Sequence, residues 1–219
     1  MCGRYRLTAT SDEVQRLFDV SDVPELPPRR NIAPTQQVLF IHMEDDARHA
    51  ELGRWGLMPA WVKDPTSFKG SLFNARAETV HEKASFKTPF KRRRCLIPAN
   101  GYYEWRSEPG GKQPYEFTVG DAAGESLFAM AGLYDIWRPK KNDDRTTIVS
   151  CTILTTTSNS LAEQVHTRMP VIVSPEDYGV WLEPTTPPTH VQALLQSFDS
   201  NAMSMTAVSK EINAVGKIV

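Results

Sequence analysis

The chain opens Met1-Cys2-Gly3-Arg4, and its first chemistry follows from losing the methionine. Cys2 is small enough for ordinary methionine trimming, which would leave a free α-amine and a thiol on one carbon skeleton. An α-amine has a pKa of about 7.8 against about 10.4 for lysine, so roughly a quarter of it is unprotonated and nucleophilic at pH 7.4. The adjacent thiol, near ~8.5, is the better soft nucleophile. Facing an aldehyde, the amine forms a Schiff base and the thiol then closes on the same carbon, giving a five-membered thiazolidine. Facing an amide, the thiol attacks and the amine serves as its base, which is N-terminal-nucleophile hydrolysis.

Three further polar residues stand in apolar or aromatic company: Asn74 in Phe73-Asn74-Ala75-Arg76, Glu104 in Gly101-Tyr102-Tyr103-Glu104-Trp105, and His166 in Val165-His166-Thr167-Arg168-Met169-Pro170. Each alone has an ordinary reading. An asparagine after a loop makes turns, a glutamate on an alternating strand faces solvent, and a histidine at a helix end caps it.

The elements that must position these residues are readable from periodicity and punctuation. Thr10-Ser11-Asp12-Glu13 has the capping-box pattern, with Val14, Leu17 and Phe18 behind it at helical spacing, so a helix is expected over Asp12–Asp19. Prolines 24, 27 and 28 make Val23–Arg30 a loop. Val38–Ile41 and Ala50–Leu57 read as strands around an Asp45-Asp46 turn. Trp55 is expected in the core, and Trp61, ahead of Lys63-Asp64-Pro65, partly exposed. A helix is expected over Val80–Phe90 with a Thr79/Glu82 capping box, followed by the basic run Lys91-Arg92-Arg93-Arg94, either solvated surface or a phosphate-attracting rim.

From Cys95 the pattern becomes β, with strands at Leu96-Ile97, Tyr102–Trp105, Tyr115–Val119, Leu127–Ile136 and Ile148–Thr155. Turns fall at Pro109-Gly110-Gly111 and Asp121–Gly124, and a loop at Trp137–Arg145. A short helix at Ser158–Val165, a buried strand at Pro170–Val173, a helix N-capped by Ser174, a helix over Thr189–Phe198 and a strand at Met203–Val208 follow, with an irregular tail after Lys210. The sum is an α+β chain: one domain with a mainly antiparallel sheet or partly open β-barrel core flanked by short helices.

Composition narrows the classes further. With 219 residues, 40% of them hydrophobic, the chain can bury a full core. A formal net charge of -1 excludes the blanket positive field of a strong non-specific duplex binder, so any nucleic-acid site must be a local patch. Cys2, Cys95 and Cys151 are odd in number and lack metal-ligand spacing, which fits a reducing compartment, no structural metal and no cofactor. No apolar leader follows the start and no run approaches membrane-spanning length, so a soluble, cytoplasmic protein without a membrane partner is expected.

Six blocks taken together carry a resemblance: Cys2-Gly3-Arg4, Asn31-Ile32-Ala33-Pro34, Trp55-Gly56-Leu57-Met58-Pro59-Ala60-Trp61, Asn74-Ala75-Arg76-Ala77-Glu78-Thr79, Gly101–Trp105 and His166–Pro170. In this order, across nearly the whole chain, they resemble the SRAP family (SOS-response-associated peptidase). The resemblance implies a sensor and shield for abasic sites in single-stranded DNA, whose ring-opened sugar presents the aldehyde that an aminothiol captures. It implies a covalent thiazolidine on Cys2 after loss of Met1, by the protein itself or by an aminopeptidase, blocking strand cleavage and error-prone copying. It also implies that the linkage can be reversed.

In that setting Asn74, Glu104 and His166 are the cysteine's catalytic companions. Schiff-base formation takes a proton from the amine and delivers one to the departing oxygen, so an acid/base group must reach both. Glu104, desolvated among Tyr103 and Trp105, would have its pKa raised into the useful range. His166 would donate to the sugar oxygen, and Asn74 would orient the amine or a sugar hydroxyl. Arg4, Arg76 and Arg168, next to these motifs, would contact phosphates, and Trp61 and Pro34 would offer flat surfaces to neighbouring bases. A monomer without sequence preference is expected, and the sequence identifies no replication-fork partner. The competing reading is hydrolysis at Cys2, as in glutamine amidotransferases that also begin Met-Cys-Gly; a third is a passive single-strand binder.

Overall fold

The computed structural model describes residues 2–25, 27–120, 126–140 and 145–215. Among these the chain forms thirteen strands and four short α-helices. The first half runs β1 (Tyr5–Leu7), α1 (Ser11–Phe18), β2 (Arg29–Ile32), β3 (Gln37–Glu44), β4 (Ala47–Trp55), β5 (Asn74–Arg76), α2 (Lys87–Arg92) and β6 (Arg94–Ala99). The second runs β7 (Gly101–Glu108), β8 (Gly111–Val119), β9 (Phe128–Trp137), β10 (Ile148–Thr157), β11 (Arg168–Pro170), β12 (Ile172–Val173), α3 (Tyr178–Leu182), α4 (Pro188–Ala193) and β13 (Met203–Ala207).

Two sheets result, and neither is a closed barrel. A five-stranded antiparallel sheet has the order β13-β8-β7-β1-β2. The larger follows β11-β10-β4-β3-β6-β9-β12, with β5 also on β10, and a β9–β10 pairing that curls it back on itself. β10 is its hub. β4 and β5 lie parallel along one edge, through Cys151↔Trp55 and Ile153↔Asn74, while β9 and β11 run antiparallel along the other. Residues Ser150–Thr156 of β10 are buried throughout, which suits a β-branched run in a central strand. The buried apolar residues of both sheets join in one cluster, each large side chain contributing ~1.5–3 kcal/mol by leaving water.

The expected α1 is present with its full capping box: the Thr10 hydroxyl oxygen accepts from the Glu13 N–H, and the Glu13 carboxylate accepts from the Thr10 N–H. The longer helix expected at 80–90 is not. A 3-10 turn occupies Ala77–Thr79, Glu82 meets Thr79 only through a backbone turn, and α2 begins at Lys87. Pro89 accounts for the difference, because it has no N–H to return to residue 85 and is tolerated only in the first turn of a helix, so α2 starts just ahead of it.

Of the helix expected at 158–165 a 3-10 turn at Ala162–Gln164 is formed, held at its start by the Asn159 side chain on the N–H groups of Leu161 and Ala162. Ser174 makes no side-chain cap, and α4 is shorter than 189–198. The supposed irregular tail contains a 3-10 turn at Lys210–Asn213 whose Ile212 is buried. The Asp121–Gly124 turn and part of the 137–145 loop lie outside the described residues.

Gly132 marks how tightly the larger sheet is packed: a Cβ there would sit 2.9 Å from both Cys95 Sγ and Ile97 Cδ1. Gly132→Ala is therefore expected to lower stability by about 1–3 kcal/mol, measured as a shift of the urea midpoint at unchanged slope. A neutral result would mean that β6 and β9 are loosely packed.

Candidate functional site

The start of the chain reaches the site as an extension of β1. Tyr5 pairs with Tyr102 and Arg6 with Gly101, and the Tyr103 N–H donates to the Arg4 carbonyl at 2.9 Å. Continuing that antiparallel ladder sets Gly3 opposite Glu104, and the neighbouring Cys2 lies close enough for the Glu104 charge to act on its thiol. From the other sheet, Asn74 Nδ2 donates to the Cys2 carbonyl at 2.7 Å. Asn74 is placed by its pairing with Ile153 on β10. On the opposite edge of β10, β11 begins at Arg168, opposite Thr157, just after His166. Strand pairing thus brings together Cys2, Asn74 and Glu104, with His166 at the far edge of the same strand end.

Burial sets the protonation states. Glu104 is 5% exposed, and desolvation pushes its pKa up to about 7, against the opposing positive charge of the amino terminus and a backbone hydrogen bond from Trp105. Cys2 is fully buried in the chain that carries Met1. Its thiol is driven far above the ordinary range, first by desolvation and then by the Glu104 charge. In this enclosed setting the thiol holds its proton, and its reaction needs a base. A carboxyl titrating near neutrality beside it can be that base and, once protonated, an acid. Burial and the terminal charge hold His166 in its neutral form. Its Nδ1 accepts from the Arg168 N–H at 3.0 Å, which leaves the proton on Nε2 as a donor.

The expected DNA-contact residues are placed differently from one another. Arg4 donates to Asn31 Oδ1 and to the Ile212 carbonyl, both at 2.9 Å, and lies over the Trp105 ring. Arg168 is held by Glu78, at 2.5 Å, and by the Thr155 carbonyl. Arg76 is exposed, and its charge acts on Glu78. Trp61 is 60% exposed, with its ring edge-on to Phe68, and Pro34 is half-buried. The Trp61 bend is pinned by the Ala60 N–H donating to Asp135 Oδ2 at 2.8 Å.

Some of the site carried no signal in the sequence. The hydroxyls of Tyr5 and Tyr102 and the Oδ1 of Asn74 are buried without a hydrogen-bond partner among the described residues. Burial is the main cause that raises the pKa of both tyrosines, and both lie near Cys2. Unsatisfied buried polar atoms are costly, and these three are grouped near one thiol. Asn31, read only as part of a loop motif, joins the start of the chain to its far end by donating to the carbonyls of Ile212 and Ala214 at 3.1 Å. Among the described residues no cluster of His, Cys, Asp and Glu could hold a metal ion, and no helix is long and apolar enough to cross a membrane.

The family model for SOS response associated peptidase (SRAP) matches residues 1–215. The chain belongs to the SRAP family. It is 39% identical over 221 residues to the abasic site processing protein YoqW of Bacillus subtilis, covering 98% of this chain and 95% of that one. It is 30% identical to the abasic site processing protein HMCES of Xenopus tropicalis, covering 84% of this chain and 66% of the relative. A crystal structure of a Bacteroides thetaiotaomicron protein superimposes with a TM-score of 0.86 at 30% identity, covering 96% of this chain and 93% of the other. The two-sheet α+β architecture is thus that of SRAP-like structures.

In this SRAP chain, ionising Glu104 inside the fold costs more than ionising it in the unfolded chain, where its pKa is near the ordinary 4.5. Its raised pKa means that the stability it contributes is fully present below pH 4.5 and lost as pH rises through about 7. Glu104→Gln, which cannot ionise, is expected to be about 3 kcal/mol more stable than wild type at pH 8 and close to it at pH 4.5. Urea unfolding at the two pH values measures this; equal stabilities at pH 8 would remove the raised pKa.

Proposed function

We propose that this chain processes abasic sites in single-stranded DNA and that, once Met1 has left, Cys2 closes a thiazolidine on the sugar aldehyde. The observation that carries the reading is the convergence of Asn74 and a near-neutral Glu104 on a buried, protonated Cys2. The relatives named as abasic site processing proteins, over almost the whole chain, support the substrate class.

The steps follow from these protonation states. Asn74 holds the Cys2 backbone so that the freed amine faces the aldehyde carbon. The amine attacks, and the hydroxyl of the resulting carbinolamine leaves as water, taking a proton from Glu104 while His166 Nε2–H hydrogen-bonds the departing oxygen and the nitrogen gives one proton up. The imine carbon is then attacked by Cys2 sulfur, whose proton passes to the Glu104 carboxylate and on to the ring nitrogen. Atoms balance as aldehyde plus aminothiol giving thiazolidine plus one water. In reverse the carboxyl delivers a proton to the departing sulfur while the ring nitrogen gives one up and its lone pair re-forms the imine as the C–S bond breaks, so Glu104 serves both directions. Removal of Met1 is the gate, since an amide nitrogen at residue 2 cannot form the imine.

Mixing trimmed protein with an oligonucleotide bearing one abasic site is expected to give a complex that survives a denaturing gel. Cys2→Ala should give none, and Glu104→Ala should slow its formation by about 10²-fold or more. A crosslink formed equally by Cys2→Ala would contradict the proposal. Ammonia released from glutamine, without a crosslink, would favour the amidohydrolase reading.

A further inference from the structure

Charge in this chain is segregated. Residues 76–94 hold seven of its 25 lysines and arginines and two of its 26 acids, so this stretch carries +5 while the other 200 residues carry -6. Two of the seven cations are used internally: Arg93 pairs with Asp135, and the buried Arg94 donates to the carbonyls of Phe90, Trp181 and Glu183. The other five, Arg76, Lys83, Lys87, Lys91 and Arg92, are exposed, and of these Arg76 acts on Glu78. The two acids are engaged elsewhere, Glu78 with Arg168 and Glu82 beside His81.

Helix electrostatics accounts for only part of this. Lys91 and Arg92 end α2, where cations favour the exposed carbonyls, but Lys87 is its first residue, where a cation is unfavourable. Lys87 and Lys91 also stand four apart on the same face, a like-charge pair that destabilises a helix. The surface between them is concave. His81, Lys87 and Lys91 line both a cleft of about 390 Å³ against Pro188 and Val191 and a second of about 370 Å³ towards Arg92. Phe90, the aromatic residue of this helix, is buried, so apart from the His81 imidazole the face offers cations rather than rings.

We propose that this face, from Arg76 through Lys87 and Lys91 to Arg92, binds the phosphodiester backbone of the DNA flanking the abasic nucleotide. The inference rests on the abasic-DNA reading and extends it beyond the reacting sugar. Arg76 lies two residues from Asn74 and five from His81, so the basic face begins within about 18 Å of the strand that carries Asn74. At 3.4 Å of rise per nucleotide that is about five nucleotides of strand. Backbone contacts alone carry no sequence information.

The test uses the full trimmed chain and the variant Lys87→Gln/Lys91→Gln. One oligonucleotide ends within about two nucleotides of its abasic site, and others extend about ten further, single-stranded or duplexed, to either side. Crosslinking rates at limiting protein are followed from about 50 to 200 mM salt. For at least one extended substrate the wild-type logarithmic salt slope should be steeper than for the short one, and the variant should reduce it by about 1.4 on a single strand or about 1.8 on a duplex, two phosphate contacts' worth. On the short oligonucleotide the variant should match wild type, which shows that it is folded and reactive. Equal slopes for wild type and variant on every extended substrate would overturn the proposal, as would equal wild-type slopes on short and extended substrates. If wild type forms no crosslink, the thiazolidine reading fails instead. The same salt series, read as binding of undamaged oligonucleotides, then decides the basic face by the same slopes.

Discussion

The hydrogen bond from Asn74 to the Cys2 carbonyl joins the two sheets at the start of the chain, and the arrangement of the site depends on it. Cys2 belongs to the small sheet through β1, and Asn74 to the large one through β5 and β10. One amide therefore fixes where the terminal residue lies relative to a carboxyl on β7 and an imidazole beyond β10. A flexible terminus would lose conformational freedom whenever it captured a substrate. Here that ordering is already done by β-pairing and by the clamp of Asn31 and Arg4 on Ile212, and pre-positioning of this kind is a large part of what an active site supplies.

Enclosure has a second consequence. The apolar packing that holds β1 in place also strips water from Cys2 and Glu104, and the same desolvation moves both pKa values upward. A thiol that keeps its proton is protected from casual oxidation and alkylation. A carboxyl near 7 can both accept and return a proton at physiological pH, as a reversible condensation requires. The stability lost in ionising Glu104 within the fold is the counterpart of that reactivity.

The sequence disclosed the parts of this arrangement that local chemistry determines. The capping box of α1, the strands from β6 to β10 and the placing of polar residues among aromatic ones were all legible, and so was the α+β class. Helix lengths were less so, because periodicity at 80–90 ran past Pro89, whose missing N–H decided where α2 starts. What long-range pairing determines was not legible. The Arg168–Glu78 ion pair spans 90 residues and the Arg4 clamp 208, and no local pattern distinguishes an arginine committed to such a partner from one, like Arg76, left facing solvent. Nor did the sequence indicate that a terminal residue would be wholly enclosed.

The central claim is that both nucleophilic atoms of one terminal residue end on one sugar carbon. The intact mass of the covalent complex between the trimmed protein and an abasic oligonucleotide, taken with and without borohydride, tests this most directly. A thiazolidine predicts the sum of the two components less one water, unchanged by borohydride, with the adduct mapping to Cys2. A gain of two hydrogens with borohydride would mean an open imine that the thiol never closes, and an adduct on any other residue would contradict the account outright.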